Sequence, residues 1–186
     1  MTSHDPSSTF TSRMGVVDSQ DAESVDDGLV RPINWNVLTA AEAENEWLDL
    51  NAWVHWLRFA YGLPVAIIPP LWHRHNALVL ELSALHRAWL ASVDPDGPPG
   101  GQLQWHEQFT NSRHRLREWV QLAGTKLDRD RPTRITTWPG DEPQPPAIEA
   151  EITDREADFY SFVALDLAAR RSVEERVARR RALHST

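Results

Sequence analysis

The spacing of apolar residues predicts three helices between residues 38 and 123. In each segment, apolar positions recur every three or four residues, which places them on one side of a helix. The expected core stripes are Trp47, Leu50, Val54, Leu57 and Tyr61 in the first helix, Leu78, Leu82, Leu85 and Trp89 in the second, and Trp105, Phe109, Leu116, Trp119 and Ala123 in the third. Three such stripes predict an all-α domain built around one shared core.

Local signals define the ends of the first helix. Thr39 and Glu42 match a capping box, in which the hydroxyl and the carboxylate each satisfy a free backbone N–H at a helix start. The helix is therefore expected to begin near Ala40. Gly62 and Pro64 should end it, because neither residue favours a continued helix.

A loop rich in proline and glycine, residues 94–101, separates the second helix from the third. The second helix is expected over about residues 75–92 and the third over about residues 102–122. Gly124 is placed to cap the third helix, since glycine adopts the left-handed conformation that is common at helix ends.

Trp56 and Phe59 lie off the core stripe of the first helix. Either a neighbouring segment wraps over both side chains, or both belong to an exposed aromatic patch that binds a partner. Wrapping is the favoured interpretation, because the core is small and the segment that follows must lie close by.

That following segment, residues 65–70, is apolar and ends in Pro69 and Pro70. Proline disfavours helix both at its own position and at the position before it. The sequence therefore predicts an extended, buried strap that leads to Trp72 without forming a helix.

The C-terminal third of the chain divides into a proline-rich part and a charged helix. Residues 125–147 contain five prolines and are expected to form a linker or a strap, with Ile135 and Trp138 as possible anchors. A fourth helix is expected from Ile148 to Leu183. Its front half carries most of the apolar positions and should pack, whereas its arginine-rich rear half should project.

Length and composition limit the number of domains. With 186 residues, 41% of them hydrophobic, the chain can bury one core of moderate size. Residues 1–34 are acidic and poor in large apolar groups, so they are expected to form a disordered tail. The expected organisation is this tail, a helical core over residues 35–124, the linker over residues 125–147 and a charged helix over residues 148–186.

Charge, cysteine content and hydropathy narrow the function classes. A net charge of -8 argues against attraction of the whole surface to nucleic acid or to an anionic membrane. The chain has no cysteine, which excludes disulfides, thiolate zinc sites and a cysteine nucleophile. It also lacks a signal-peptide pattern and any run of about 18 apolar residues. A cytoplasmic protein with no membrane partner is therefore expected.

The histidines raise the question of a metal site. His75, Glu81 and His106 would form one if three neighbouring segments brought them together, and this trio would support a metal-dependent hydrolase. His75 and His86 are about 16 Å apart along one helix and cannot share an ion. No phosphate loop, nucleophile elbow, paired-carboxylate motif or dinucleotide fingerprint occurs. We therefore predict no catalytic residue, no resident metal and no cofactor.

A row of polar residues on the third helix is a candidate binding surface. His106, Arg113 and Arg117 fall within about 40° of one another, beside the core stripe. Seven bases against three acids occur from residue 113 to residue 134. A phosphate-bearing partner could bind there with Trp72 or Trp105 as a stacking surface. An ordinary solvated face is the favoured alternative.

A set of motifs extends across the three predicted helices. They are Leu38-Thr39-Ala40-x-Glu42, Trp53-Val54-x-Trp56-Leu57, Tyr61-Gly62-Leu63, Ile68-Pro69-Pro70-x-Trp72-x-x-His75, Glu81-Leu82-x-x-Leu85-x-x-x-Trp89, Trp105-His106-x-x-Phe109 and Leu116-Arg117-x-Trp119. With these motifs, residues 38 to about 122 resemble an actinobacterial domain family of unknown function found on plasmids, integrative conjugative elements and phages. The resemblance implies no activity, and His86 departs from it, because an arginine-like base is expected there.

The preferred hypothesis is a small accessory protein of a mobile element that acts by binding a protein partner. Nucleic-acid binding through residues 113–134 and the arginine-rich helix end is the alternative, and the metal-dependent hydrolase is a second alternative. The candidate binding surface comprises Trp56, Phe59, Trp72, His75, Glu81, His106, Arg113 and Arg117.

Overall fold

Four α-helices form the architecture of the computed structural model, which describes residues 32–133, 135–142 and 148–184. The helices are α1 (Ala40–Ala60), α2 (Asn76–Ser92), α3 (Gly101–Ala123) and α4 (Arg155–His184). A 3₁₀ turn (Trp72–Arg74) precedes α2, and two short strands, β1 (Arg129–Asp130) and β2 (Ala150–Glu151), precede α4. The strands pair antiparallel, with Arg129 opposite Glu151. The predicted all-α bundle is confirmed.

The predicted helix ends are confirmed for α1 and α3. The Thr39 hydroxyl accepts a hydrogen bond from the Glu42 N–H, and the Glu42 carboxylate accepts one from the Thr39 N–H at 2.8 Å. Gly124 ends α3 with a φ of 71°, in the left-handed region where a side chain is disfavoured.

One hydrophobic core connects all four helices. α2 packs against α3, and α4 packs against α1. The front of α4 contributes Phe159, Val163 and Leu167 to the same buried cluster that holds the α1 and α2 stripes. The front half of the last helix therefore packs, as predicted, while every side chain from Arg171 to His184 is exposed.

Polar contacts fix α4 against α1 and the segment before it. Asp166 Oδ2 accepts hydrogen bonds from Trp47 Nε1 at 3.0 Å and from Arg170 Nε at 2.8 Å. Arg170 Nη1 also donates to the carbonyl oxygens of Trp35 and Leu38, each at 2.9 Å. These contacts join the last helix to the first described segment of the chain.

The segment predicted as an extended, buried strap is buried at Ile67, Ile68 and Pro69 and is not extended. Ile67 and Ile68 donate their backbone N–H groups to the Pro64 carbonyl at 2.9 and 3.1 Å, and Trp72 donates to the Pro69 carbonyl. The chain therefore turns twice between α1 and α2. Successive turns satisfy buried backbone groups that an isolated extended segment would leave without partners.

Several core assignments were wrong at the edges of the stripes. Tyr61 and Trp119 are exposed, whereas Trp53 and Val120 are buried. Trp89 is half-buried. α1 packs against more than one neighbour, so its buried arc is wider than a single stripe and includes Trp53.

The fourth helix begins later than predicted. Asp154 Oδ1 accepts hydrogen bonds from the backbone N–H groups of Glu156 and Ala157, which caps the helix start at residue 155. The residues before it belong to β2 and its flanks. Ile135 and Trp138 are both exposed, so the prediction that they anchor the linker was wrong.

The acidic tail predicted for residues 1–34 lies almost entirely outside the described residues. Within the described part of the chain, no helix is long and apolar enough to cross a membrane.

Candidate functional site

An exposed group of aromatic rings lies where α1, α2 and α3 meet. We call Trp56, Phe59, Tyr61, Trp89 and His106 the aromatic surface. The Trp56 ring lies 5.0 Å from that of Trp89 and 6.4 Å from that of Tyr61, measured between centroids. The Tyr61 hydroxyl lies 3.3 Å from His106 Nε2. Trp56, Tyr61, Trp89 and His106 therefore lie side by side, and Phe59 lies one helical turn from Trp56 at the edge of this group.

Two members of this surface were predicted to be covered, and that interpretation was wrong. The side chain of Phe59 is 67% exposed and that of Trp56 is 42% exposed. Phe59 contacts the His55 ring, and the Arg58 guanidinium lies 4.7 Å from the Phe59 centroid. The segment after α1 turns inward to the core, so it leaves this outer face of the helix uncovered.

Arginine borders the aromatic surface. The Arg113 guanidinium lies 5.8 Å from the centroid of Phe109, whose ring is 4.7 Å from that of Tyr61. Arg117 follows one turn later, and both arginines are exposed. The His106, Arg113 and Arg117 row predicted from helical phase is thus an accessible edge of the aromatic surface.

The predicted corner from Trp72 to His75 is not a surface. The side chain of Trp72 is 1% exposed and that of His75 is 2% exposed. Trp72, His73 and His75 all point into the interior. Arg74 is the one residue of the 3₁₀ turn that faces solvent. Trp72 and His75 are therefore removed from the candidate binding surface.

His73 belongs to a buried hydrogen-bond network with α4. His73 Nε2 lies 2.8 Å from Asp158 Oδ1, and Arg74 Nε donates to the same oxygen at 2.9 Å. Burial lowers the pKa of His73 to about 4 and outweighs the attraction of Asp158. The imidazole is therefore neutral at pH 7 and donates its Nε2–H to the carboxylate.

His75 forms a second network, with a hydroxyl on one side and a carboxylate on the other. Its Nδ1 lies 3.0 Å from Thr133 Oγ1 and its Nε2 lies 2.8 Å from Asp130 Oδ1. Burial raises the pKa of Asp130, but the hydrogen bond from His75 and the neighbouring Thr125 hydroxyl outweigh it and leave the pKa lowered.

A hydroxyl, an imidazole and a carboxylate in series are also the components of a hydrolase triad. The His75 side chain is only 2% exposed, and both of its ring nitrogens bond within the fold. The network instead ties the chain after α3 to the start of α2, which is a structural role.

The proposed metal trio does not converge. Glu81 accepts hydrogen bonds from Arg115 Nε at 3.0 Å, His106 contacts Tyr61, and His75 contacts Asp130. Over residues 32–133, 135–142 and 148–184, no group of three or more histidine, cysteine, aspartate or glutamate side chains can hold a metal ion. The observed geometry therefore does not support the metal-dependent hydrolase.

His86, where the resemblance predicts an arginine-like base, packs against two indole rings. Its ring is nearly parallel to those of Trp53 and Trp89, at centroid distances of 4.8 and 6.3 Å. Burial, followed by the nearby Arg87, lowers the pKa of His86 to about 4. A neutral imidazole thus extends the tryptophan packing beneath the aromatic surface.

Part of the basic stretch from residue 113 to residue 134 is neutralised within the fold. Arg115 pairs with Glu81, and Arg129 and Arg131 lie within 4.0 Å of the Glu149 carboxylate. Arg113, Arg117 and Lys126 are exposed. The positive charge available to a phosphate is therefore smaller than the sequence count indicates.

Sequence reasoning missed the partners of the buried histidines. Asp130 and Asp158 lie 55 and 85 residues from the histidines that they contact, so no local spacing links them. The available signal was weak: the strongly apolar environment of His73 and His75 implies that each requires a buried partner.

No family model matches the chain, and no curated protein or solved structure is significantly similar to it.

Proposed function

We propose that this chain is a small cytoplasmic, non-catalytic module that binds a protein partner through the aromatic surface. The observation that carries the proposal is the exposure of Phe59 and Trp56 on a face that no other described segment covers. Aromatic residues and arginine are enriched at protein interfaces, and they supply most binding hot spots.

The composition of the surface defines the partner that it suits. Phe59, Trp56 and Tyr61 offer apolar area with few rotatable bonds, so their immobilisation on binding costs little entropy. Arg58 and Arg113 border these rings. The matching partner presents an apolar side chain to the rings and a carboxylate to an arginine at the rim.

The resemblance of residues 38–122 to an actinobacterial family of mobile elements supports an accessory role on such an element. The family has no assigned activity, so the resemblance itself gives no support for catalysis. The partner would then be another protein of the same element or of its host.

Site-specific photo-crosslinking tests the proposal. A photoreactive phenylalanine analogue replaces Phe59 in one protein and Leu165 in a second, since Leu165 is equally exposed but lies on the outer side of α4. We expect a host-cell protein to crosslink at position 59 and not at position 165. The purified partner should then lose affinity by about 2 kcal/mol for a Trp56→Ala variant.

The outcome that counts against the proposal is equally specific. If the same proteins crosslink at both positions, or if the identified partner binds the Trp56→Ala variant as tightly as the natural chain, the aromatic surface is not the interface.

The exposed rear half of α4 favours a second candidate function, nucleic-acid binding. Arg171, Arg176, Arg179 and Arg180 are exposed there, although Arg179 lies near Glu175. A helix that projects with several arginines can contact phosphates along a backbone.

Salt-dependent binding separates the two functions. Phosphate contacts are strongest at low salt, so the second candidate predicts binding to DNA or RNA at about 50 mM salt that weakens steeply by about 200 mM. Replacement of Arg176 and Arg180 by glutamine should reduce this salt dependence. No binding at low salt would exclude nucleic-acid binding. The crosslinking experiment would still test the aromatic surface independently.

A further inference from the structure

A cavity of about 530 Å³ lies between the C-terminal half of α1, the turns that follow it and the start of α4. It adjoins the aromatic surface, because His55 and Arg58 line it and both also contact Phe59. Its volume falls within the range of small-molecule sites. The apolar part of its wall is formed by Val54, Leu63, Ile68, Leu127 and Ile152.

Two arginines line the same cavity. Within the described part of the chain, neither Arg58 nor Arg155 forms an ion pair. Arg155 instead donates to the side-chain oxygen of Asn51 and to the Pro70 carbonyl, which are both neutral. Burial, followed by the charge of Arg58, lowers the pKa of Arg155. An anion bound between the two guanidinium groups would relieve both costs.

A buried donor in the cavity wall also lacks a partner. Trp72 lines the cavity, and its indole Nε1–H has no hydrogen-bond partner among the described residues. A buried N–H group without an acceptor costs about 1 to 3 kcal/mol, so such groups are rare in folded proteins. The Nε1 atom itself is enclosed, so the indole N–H reports on occupancy of the cavity without contacting the ligand.

The charge balance of the wall limits the anion to a single charge. Asp154 and Glu156 line the cavity together with the two arginines. One oxygen of Asp154 already accepts the backbone N–H groups at the start of α4. Two cations and two carboxylates leave no net charge on the wall, so a monoanion held close to the arginines is repelled less by the carboxylates than a dianionic phosphate would be.

We propose that this cavity binds a small organic monocarboxylate, with the carboxylate at Arg58 and Arg155 and an aliphatic or aromatic body against the apolar wall. This inference goes beyond protein binding at the aromatic surface and does not depend on it. The ligand's carboxylate accepts charge-assisted hydrogen bonds, and its body buries apolar surface.

Titration with sodium octanoate tests the proposal on the full chain. Binding is followed by calorimetry and by the assigned Trp72 indole N–H resonance in a ¹H–¹⁵N spectrum. We expect saturable binding that shifts the Trp72 resonance. Arg58→Gln should raise the Kd by about tenfold, because it removes a charge-assisted hydrogen bond from an exposed position where the fold does not depend on it.

Matched probes and variants make the result decisive. Arg171→Gln removes an exposed arginine outside the cavity and should leave the Kd unchanged. 1-Octanol, which has the same chain without the charge, should bind more weakly. The proposal is overturned if octanoate does not bind, if octanol binds as tightly, if octyl phosphate binds more tightly, or if the two arginine variants have the same Kd.

A chain terminus carries the same monoanionic group, so a short peptide ending in leucine is compared with its amidated form. Weaker binding of the free-acid peptide than of octanoate supports a small-molecule site. Tighter binding of that peptide, lost on amidation, would assign the cavity to a protein C-terminus and overturn the assignment to a small ligand.

Discussion

Replacing His86 by phenylalanine should remove a pH-dependent loss of stability. The imidazole stacks on Trp53 and lies beside Trp89, and its Nδ1 has no hydrogen-bond partner among the described residues. Phenylalanine can pack in the same place, and the substitution removes no hydrogen bond of Nδ1. We therefore expect His86→Phe to be close to neutral at pH 7 and stabilising at lower pH.

The sign and size of the effect follow from linkage. Burial lowers the pKa of His86 in the folded state from 6.5 to about 4, so the unfolded chain binds a proton first as the pH falls. Stability from this residue is complete above pH 6.5 and is lost between pH 6.5 and pH 4. The free energy of unfolding should fall by about 2 kcal/mol between pH 7 and pH 5 because of His86 alone.

Urea unfolding followed by tryptophan fluorescence at pH 7, 6 and 5 measures this difference. His86→Phe should lose about 2 kcal/mol less than the natural chain over this range. Trp89→Phe serves as the control, because it alters the stack but keeps the titrating imidazole and should keep the pH dependence. Equal losses in the natural chain and in His86→Phe would refute the buried, neutral imidazole.

Four further substitutions test the fold and the aromatic surface. Phe59→Ala should change the free energy of unfolding by no more than about 0.5 kcal/mol, whereas Leu57→Ala, two residues away and fully buried, should cost about 2 to 5 kcal/mol in the same urea assay. Thr39→Ala should cost about 1 kcal/mol by removing the α1 cap, and an unchanged Tm would contradict the capping box. His75→Ala should cost about 3 kcal/mol or more, because it leaves the buried Asp130 carboxylate without its donor; NMR titration should then find a higher pKa for Asp130.

The sequence was sufficient to predict helix ends where the capping residues lie within one turn of the end. Thr39 with Glu42 and the single Gly124 place helix ends correctly, because capping depends on residues within one turn. Asp154 is the same kind of local signal at the start of α4, but it follows a proline-rich segment, and the sequence interpretation did not identify it as a cap. The resulting error in the helix start was seven residues, from 148 to 155.

Edges of helical stripes could not be assigned from sequence. Trp119 and Val120 lie about 100° apart on α3, on opposite edges of its stripe, and only the neighbouring element decides which one is covered. The same limit applied to the candidate site. Helical phase placed Phe59 off the core, but its exposure depends on the path of the chain after α1, and this path turns inward.

The contacts of Arg170 with Trp35 and Leu38 have a consequence for synthesis of the protein. Each hydrogen bond spans more than 130 residues, so the first segment of the core cannot complete its contacts until α4 has left the ribosome as far as Arg170. Until then, the surfaces of Trp47 and Trp72 that face Phe159 remain uncovered. Folding of this helical chain therefore depends on a late, long-range closure, and a nascent chain that stalls before residue 155 would present a tryptophan-rich surface to chaperones.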